Sequence, residues 1–446
     1  MTHPALLSDD IIFATLSQLD VSDGVGAGAV CKAWRDQWRR RRRGLLCLLK
    51  EHVGRLKHTG HVAALPDGGA MVLEDCFSLH RPPHLAMYEI RTSMPPEAKR
   101  RQFQRREPSR FFSQGRLVTR TKYKWQGGEF HEYLKYSDGD PTCGFYRTYR
   151  TCSLPTREAV PIAFALHGDA AWMALWGPRE GQHDIPPIYL QLRHRATEFR
   201  LTAETITSDV RLDLLGDHFG YMPRDMVVCD DALLVLCEED WTLEGRGPGV
   251  VFVLDARTGA GRYQIGRLDY MEEHTGCGLH GPSSLAVEGD LCFIADTHNQ
   301  RVVVLTWRNF TSPDRLDVVR TFGKSGSPPA QLDWDGNEYW DGSYLYDDER
   351  KGDGPGEFDQ PYGVAVSGKM LYVSESVGRR IQVMRLPVDT RSSEPELLQI
   401  IPAPRGLNGW TTELMCGLSL EGDRLWCAGP ESDGEDTHLH CFIRYV

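Results

Sequence analysis

An acidic and aromatic segment at residues 325–360 carries the side chains best suited to binding a partner. It holds ten Asp and Glu residues against Arg350 and Lys351, with Trp and Tyr interleaved among the acids. Carboxylates would steer a basic segment towards this surface, and Trp and Tyr often anchor protein interfaces. We predict six substrate-binding residues here: Trp334, Asp335, Tyr339, Trp340, Asp341 and Tyr344. A disordered linker is the alternative.

Local motifs for catalysis, nucleotides or metals are incomplete in this sequence. Gly323-Lys324-Ser325 matches the end of a P-loop, but Val318 stands where that motif requires glycine. Asp333–Glu338 is similar to a calcium loop, but Tyr344 stands where a bidentate glutamate belongs. There is no Gly-x-Ser-x-Gly elbow and no zinc-type histidine spacing. We therefore predict no catalytic residue, no metal and no cofactor, although ligands scattered around a channel would escape such a search.

The charges are unevenly distributed along the chain. The formal net charge is −11, yet residues 1–60 hold ten Lys and Arg against six acids, and residues 91–124 hold eleven against Glu97 and Glu107. The overall acidity argues against general nucleic-acid binding, but a local basic face remains open. The run Arg39–Arg43 reads most simply as a solvated helix face.

Composition and the N-terminal sequence predict a chain that stays inside the cell. Apolar residues make up 41% of the 446 residues, and no apolar run is long enough to cross a bilayer. The N-terminus has no signal-peptide pattern, and the twelve cysteines form no CxxC pair. We therefore expect reduced thiols, a cytoplasmic or nuclear protein, and no membrane association.

The first 58 residues are predicted to form a small helical unit. Ser8 is a plausible N-cap, and apolar positions then recur at helical spacing on one face. The apolar positions between Leu45 and Leu56 continue this helical pattern. Residues 59–446 are instead rich in short apolar stretches around Gly and Asp turns, so we expect a second, β-rich domain there.

Two copies of one repeat, 79 positions apart, organise the β-rich domain. The later copy predicts three strands, at 362–366, 370–374 and 380–384. Pro361, Ala365, Gly368 and Arg380 have counterparts in the earlier copy at Pro282, Ala286, Gly289 and Arg301. Strand–turn–strand units centre on six turns: 67–69, 168–169, 230–231, 289–290, 368–369 and 422–423.

Such meanders cannot bury both faces alone, so their repetition predicts a mainly β fold, a β-propeller of about six or seven blades. Insertions at about 91–124 and 325–360 would interrupt its period. The hairpin at 117–136 would be either the outer half of the first blade or a seventh blade. A segment near Arg55–Val62 would supply the last blade's missing strand.

The two best copies resemble NHL repeats. The pattern runs through Pro361-Tyr-Gly-Val-Ala-Val and Arg380-Ile-Gln-Val in one copy, and through Asp296-Thr-His-Asn299-Gln-Arg301 in the other. Gly378 replaces the asparagine in the later copy. The resemblance implies a ring of typically six blades.

The N-terminal unit resembles an F-box, with Ser8 at the position usually held by proline. This resemblance implies docking to a Skp-family adaptor and, through it, to a cullin ubiquitin ligase. The implied adaptor-binding residues are Leu7, Ile11, Ile12, Leu16, Leu19, Val30 and Trp34. A helical cap packed on the propeller is the alternative.

Together these features lead to a non-catalytic substrate receptor of a cullin-type ubiquitin ligase. Its propeller would bind a protein substrate that has a basic segment. Two alternatives stay open: an RNA-binding or scaffolding NHL propeller that uses the basic island at 91–124, and a propeller hydrolase or lyase.

Overall fold

The computed structural model describes residues 46–444 with gaps. It is continuous over 221–241, 245–265, 278–308, 318–323, 356–387, 394–402, 417–430 and 437–444. Before residue 221 it describes mainly separate strands. Both predicted binding segments, the adaptor-binding residues Leu7–Trp34 and the substrate-binding residues Trp334–Tyr344, lie outside the described residues.

The first two sheets take up the chain from residue 61 to residue 212. Two short strands precede them, β1 (Leu46–Leu48) and β2 (Gly54–Leu56). The first sheet comprises β3 (His61–Ala64), β4 (Ala70–Glu74), β5 (His84–Arg91), β6 (Gln104–Arg105), β7 (Ser109–Ser113), β8 (Arg116–Lys124), β9 (Phe130–Tyr136) and β10 (Gly144–Ser153). The second comprises β11 (Val160–His167), β12 (Ala170–Trp176), β13 (Ile188–His194) and β14 (Ile206–Leu212).

Four further sheets follow in chain order. The third comprises β15 (Tyr221–Cys229), β16 (Ala232–Trp241), β17 (Gly245–Asp255) and β18 (Gly261–Ile265). The fourth comprises β19 (Pro282–Glu288), β20 (Leu291–Asp296), β21 (Arg301–Thr306) and β22 (Val318–Gly323), with a 3-10 helix at Thr297–Asn299. The fifth comprises β23 (Pro361–Ser367), β24 (Met370–Glu375), β25 (Arg380–Arg385) and β26 (Glu396–Pro402). The last comprises β27 (Leu418–Glu421), β28 (Arg424–Pro430), β29 (Thr437–Arg444), β1 and β2.

The sheets form a mainly β propeller. All described strand pairs are antiparallel, and the first strands of the six sheets touch one another in the closed order β3, β11, β15, β19, β23, β27 and back to β3. The predicted mainly β propeller class is therefore confirmed, and the three strands predicted for the later repeat copy are β23, β24 and β25. The predicted set of six four-stranded blades is not found in the described part of the chain, where four of the six sheets are regular four-stranded blades.

The two irregular sheets explain that difference. The first has eight strands, because the segment at 104–153 adds β6–β10 to it. The β8–β9 hairpin pairs through β10 with β5, so it extends the first sheet and is not a seventh blade. The last sheet has five strands, because β1 and β2 both pair with β29.

The helical pattern predicted through Leu45–Leu56 is wrong at β1 and β2. Leu46 and Leu48 stand opposite Arg444 and Phe442 on β29, so these apolar residues complete a sheet and not a helix face. The prediction that a segment near Arg55 would complete the last blade is confirmed, because Arg55 stands opposite His438. No helix in the described part of the chain is both long and apolar enough to span a membrane.

Tight two-residue turns join the first and second strands of four sheets. Their first residues all have positive φ: 53° at Asp230, 60° at Gly289, 62° at Gly368 and 60° at Gly422. Turns with positive φ match the right-handed twist of antiparallel strands, and Gly and Asp tolerate that backbone conformation. This is why Gly and Asp mark the repeats in the sequence.

Large aromatic side chains fill the spaces between neighbouring sheets. Trp172, Phe293, Tyr372 and Trp426 hold equivalent positions on their second strands, and all four are fully buried. The Trp172 Nε1–H donates a hydrogen bond of 2.6 Å to the Ala256 carbonyl on the next sheet. Packing between blades therefore supplies the core that one meander lacks.

The free thiols of this core should be protected from alkylation. Burial raises the pKa of Cys237 and Cys292, and it raises the pKa of Cys441 to about 12. We expect iodoacetamide to leave these three residues unmodified in the native protein and to modify them after unfolding in urea, as peptide mass spectrometry would detect. Cys229, which is half-buried, should react before these three. Rapid native labelling of Cys237 would contradict this packing.

Buried acidic side chains fix the ends of the fourth and fifth sheets. Asp296 accepts hydrogen bonds from the His280 backbone N–H at 2.6 Å, Asn299 Nδ2 at 2.8 Å and Arg301 Nε at 2.7 Å. At the equivalent place Glu375 accepts from the Asp359 backbone N–H at 2.9 Å, Arg380 Nε at 2.8 Å and Gln382 Nε2 at 2.7 Å.

The two networks differ in which position carries the larger side chain: aspartate is paired with asparagine in one, and glutamate with glycine in the other. A Cβ at Gly378, the counterpart of Asn299, would lie 2.2 Å from Glu375 Oε2. The longer glutamate therefore fills the space that aspartate leaves to asparagine. This explains why the later repeat copy has glycine where the pattern has asparagine.

A double substitution should expose this exchange. We expect Gly378→Asn alone to lower the free energy of unfolding by about 1–3 kcal/mol through overpacking. Adding Glu375→Asp, which recreates the Asp296 and Asn299 arrangement, should restore part of that loss, with a coupling energy of about 0.5–3 kcal/mol. Urea denaturation measures both. Gly378→Asn combined with Asp296→Glu on the neighbouring sheet is the control and should be additive, and additivity of the first pair would contradict the exchange.

Candidate functional site

The first strands of the six sheets form the inner ring of the propeller. The residues of the candidate site lie at one level of this ring, that is, at equivalent positions along the first strands. In four inner strands the register with the second strand shifts just after a proline, between Pro161 and Ala163, Pro223 and Asp225, Pro282 and Ser284, and Pro361 and Gly363. Each shift is a β-bulge, which re-aims the residue that follows it. Six residues lie equally far before the turn that joins the first strand of their sheet to the second, and they define this level: His61, Ala163, Asp225, Ser284, Gly363 and Gly417.

Asp225 lies at the centre of the polar contacts in this level. Its Oδ2 accepts hydrogen bonds from Ser284 Oγ at 2.7 Å and from the Leu285 backbone N–H at 2.8 Å. Its Oδ1 accepts from the Met226 backbone N–H at 2.7 Å and contacts His61 Nε2 at 2.7 Å. Four donors on three sheets therefore hold this carboxylate in one orientation.

His61 reaches Asp225 from the first sheet, across the second. The residue of β11 at this level is Ala163, a small side chain, and the His61 ring packs edge-on against Phe164 with 4.9 Å between ring centroids. About 12% of each side chain in the His61–Asp225 pair is exposed. His61 Nδ1 is buried and has no hydrogen-bond partner among the described residues.

This pair has the geometry of a histidine oriented by a carboxylate. Since Asp225 accepts the proton on Nε2, the neutral imidazole carries its lone pair on Nδ1. A lone pair buried without a donor costs free energy, so such atoms in a native protein call for an explanation. The arrangement can take a proton from a bound molecule and return it, as general acid–base catalysis requires.

The other residues at this level have small side chains or none, and the backbone of a neighbouring strand packs closely against them. Ser284 Oγ also lies 3.4 Å from the Val364 backbone N–H, which links β19 to β23. At Gly363 a Cβ would lie 2.5 Å from Ser374 Oγ and 2.7 Å from the Leu418 backbone nitrogen. Glycine is therefore required where β23 and β27 approach each other.

A second ion pair lies one residue before Asp225. Arg224 Nε donates to Glu238 Oε2 at 2.5 Å, and the glutamate side chain is 2% exposed whereas the arginine side chain is 24% exposed. The guanidinium balances the buried carboxylate, because an unpaired buried charge is costly. It is also the cation closest in sequence to the His61–Asp225 pair.

Other residues singled out from the sequence serve the scaffold. Glu375 and Arg380 form the buried ion pair of the fifth sheet. Gly323, from the incomplete P-loop motif, ends β22 with a φ of 117°. Within the described residues, no group of three or more His, Cys, Asp or Glu side chains could hold a metal ion.

The sequence search missed His61, Asp225 and Ser284. His61 and Asp225 are 164 positions apart, and local motifs do not connect residues on different sheets. One signal was present, since Asp225 and Ser284 both come two residues after a proline near the start of an inner strand. Aligning the weaker repeat copies on that proline would have placed them at one level.

Comparison with known proteins finds fold similarity only. No protein-family model matches this chain, and no curated protein matches it. Among solved structures, the PQQ-bound aldose sugar dehydrogenase of Streptomyces coelicolor is similar, with 11% identity, a TM-score of 0.42, and 90% of this chain and 98% of that chain covered. A putative oxidoreductase (glucose dehydrogenase) of Thermus thermophilus has 16% identity, a TM-score of 0.43, and 89% and 99% coverage. The periplasmic gluconolactonase of Pseudomonas aeruginosa has 11% identity, a TM-score of 0.36, and 86% and 85% coverage.

These findings correct the functional prediction. The three similar structures are of enzymes or a putative enzyme and not of ubiquitin-ligase subunits, so the predictions of a cullin-ligase substrate receptor and of a non-catalytic protein were wrong. The strands β1 and β2 correct only the C-terminal part of the predicted helical unit, where apolar residues pair with β29. With sequence identities of 11–16%, the cofactor and the substrate of these proteins cannot be assigned to this chain. The resemblances to an F-box and to NHL repeats stay predictions.

Proposed function

We propose that this chain is a propeller hydrolase or lyase in which His61 acts as the general base. One observation carries the proposal: Asp225 holds His61 Nε2 at 2.7 Å while Nδ1 is left with a lone pair and no described donor. A carboxylate that fixes the imidazole tautomer in this way also stabilises the imidazolium formed when the base takes up a proton.

The hydrolytic step needs one proton to move in each direction. Nδ1 takes a proton from water as the water oxygen bonds to an acyl carbon, and the acyl–oxygen bond to the leaving group then breaks. The leaving alkoxide takes the proton back from Nδ1. In the lyase form, Nδ1 removes a proton from a carbon next to a carbonyl, a β carbon–oxygen bond breaks, and the departing oxygen takes the proton.

The rigid surroundings of the pair favour a catalytic role. Asp225 is fixed by three donors besides His61, so the imidazole is oriented before any substrate binds. Preorganisation of this kind removes the cost of orienting the base during reaction.

The test is turnover by the purified full-length chain. Aryl acetates and five- and six-membered lactones report hydrolysis by proton release, and a uronic-acid polymer reports elimination by the absorbance of its unsaturated product. We expect turnover in one of these classes that depends on His61. Turnover unchanged by loss of the imidazole, or none with any class, would overturn the proposal.

A further inference from the structure

Arg224 is the extra residue of the β-bulge in β15. The register of β15 with β16 omits this residue, so it has no partner on the second strand. The register shifts in β11, β19 and β23 omit Ile162, Ser283 and Tyr362 in the same way. Of these four bulge residues only Arg224 carries a charge. A cation is therefore built into the chain immediately before Asp225, where the bulge re-aims the side chains.

The side chains of Arg224 and Asp225 both enter the space between the third and fourth sheets. Arg224 contacts Glu238 on β16, two positions along that strand from Leu236, which packs in the core between these sheets. Side chains two positions apart on a strand share a face. Asp225 reaches the same space, because two of its hydrogen-bond donors belong to β19 of the fourth sheet. The guanidinium and the carboxylate that orients His61 therefore lie in one gap between two sheets.

Only one edge of the Arg224 guanidinium is occupied by described residues. Nε and Nη2 both lie 2.5 Å from Glu238 Oε2. Nη1 makes no hydrogen bond or ion pair with any residue that the structure describes. The glutamate side chain is 2% exposed, whereas the arginine side chain is 24% exposed. The buried carboxylate therefore fixes one edge of the planar group, and the other edge keeps N–H donors for a bound molecule.

The charges of the two side-chain pairs are unequal. The His61–Asp225 and Arg224–Glu238 pairs together carry a net charge of −1 when the imidazole is neutral. Hydrolysis leaves this total unchanged, but it separates charge, because the imidazole becomes positive while the acyl oxygen becomes negative. Asp225 stabilises the imidazolium, and the oxyanion requires hydrogen-bond donors of its own.

We propose that the open edge of Arg224 binds the oxyanion formed in ester or lactone hydrolysis, and that the substrate is electrically neutral. The water oxygen bonds to the acyl carbon as its proton passes to His61 Nδ1, and the carbonyl π electrons move to the acyl oxygen. That oxygen accepts hydrogen bonds from Arg224 Nη1. When the carbonyl double bond forms again, the bond to the leaving oxygen breaks, and His61 returns the proton to that oxygen. A donor that is already in place stabilises this charge as it develops.

The net charge of −1 selects the substrate class. A substrate with its own carboxylate would bring a second uncompensated negative charge to the site, and Coulomb repulsion would oppose its binding. A neutral ester or lactone meets no such repulsion, and the carboxylic acid that it releases ionises and is repelled. This inference rests on the proposed function and selects its hydrolytic form, since a uronic-acid polymer is a polyanion.

Neutral and anionic versions of one substrate test the charge of the site in the full-length protein. The pairs are methyl para-acetoxybenzoate with para-acetoxybenzoate, and γ-butyrolactone with its γ-carboxylate, each rate being divided by that of hydrolysis by hydroxide. We expect kcat/KM to be about 3- to 10-fold higher for the neutral member. Glu238→Gln raises the net charge from −1 to zero and should remove most of this preference. A preference for the anionic member, or one unchanged by Glu238→Gln, would overturn the proposal.

Two variants of the ion pair test the oxyanion contact. Arg224→Gln should lower kcat by about 100- to 1,000-fold with little change of KM, because the lost donor acts in the transition state. This variant also leaves Glu238 buried without its guanidinium, which destabilises the fold. Arg224→Gln combined with Glu238→Gln removes both charges and should show the same loss of kcat. Recovery of native kcat in the double variant would overturn the proposal, because the loss would then come from the buried charge.

Arg380→Gln is the matched control for structural damage. Arg380 Nε lies 2.8 Å from the buried Glu375 carboxylate, on the third strand of the fifth sheet and outside the inner ring. This variant also removes a guanidinium from a buried carboxylate, so its thermal melt should fall while kcat stays within a few-fold of the native value. An equal loss of kcat in the Arg224 and Arg380 variants would overturn the proposal. Turnover that depends on His61 but not on Arg224 would overturn this inference alone, whereas absence of turnover would overturn the proposed function with it.

Discussion

Replacing His61 with glutamine should lower kcat by about 100- to 10,000-fold on whichever substrate class the protein turns over. Glutamine keeps an N–H donor that can reach Asp225, but it has no titratable lone pair to replace Nδ1. KM should change far less than kcat, because the lost interaction belongs to the transition state. Steady-state kinetics with a thermal melt of each protein measures both.

The control for this experiment is His280→Gln. His280 lies just before β19, and its ring packs edge-on against His298 with 5.0 Å between centroids, outside the level of His61 and Asp225. Its replacement should leave kcat within a few-fold of the native value. If the His61 variant retained native kcat with a lowered melting temperature, the His61–Asp225 contact would stabilise the fold and would not be a catalytic pair.

Placing any side chain at Gly363 should destabilise the propeller. A Cβ there would lie 2.5 Å from Ser374 Oγ, 2.7 Å from the Leu418 nitrogen and 2.8 Å from the Gly417 carbonyl carbon. Two of those atoms belong to the backbone of the chain that leads into β27, so they can give way only if the sheets separate. We expect Gly363→Ala to lower the free energy of unfolding by about 1–3 kcal/mol, as urea denaturation would show.

Gly278→Ala is the matched control, because no described atom lies within 4 Å of the Cβ it would create and its φ is not in the positive range. Its unfolding free energy should stay within about 0.5 kcal/mol of the native value. If the two glycine variants proved equally stable, β23 and β27 would not pack as closely as the structure has them.

Much of the fold could be predicted from the sequence, because its determinants are local. Turn residues such as Gly289 and Gly368 have positive φ in the structure, and the apolar residues that flank them predict the strands. Repetition of that unit predicted a propeller, since one meander leaves a face unburied. The prediction was wrong where one pattern suits two structures, as at Leu46–Leu48, where a short apolar run reads equally well as helix or strand.

Sequence reasoning missed the candidate site because the site is assembled across sheets. Nothing in the neighbourhood of His61 distinguishes it from the other histidines of the chain. Its contact with Asp225 follows from two facts of tertiary structure, the closure of the inner ring and the small Ala163 at the same level of β11. The search for functional residues favoured residues 325–360 instead, because a high density of charged and aromatic residues can be read directly from the sequence.

By itself, then, the sequence determined the repeating unit, its turns and the mainly β propeller, all of which depend on contacts between near neighbours in the chain. Only the tertiary structure decided which sheets are regular blades and that the segment at 104–153 extends the first sheet. It also decided that a histidine and an aspartate 164 positions apart meet at 2.7 Å. The physical reason is that closing a ring sets distances between strands remote in sequence, and such distances leave no periodicity along the chain.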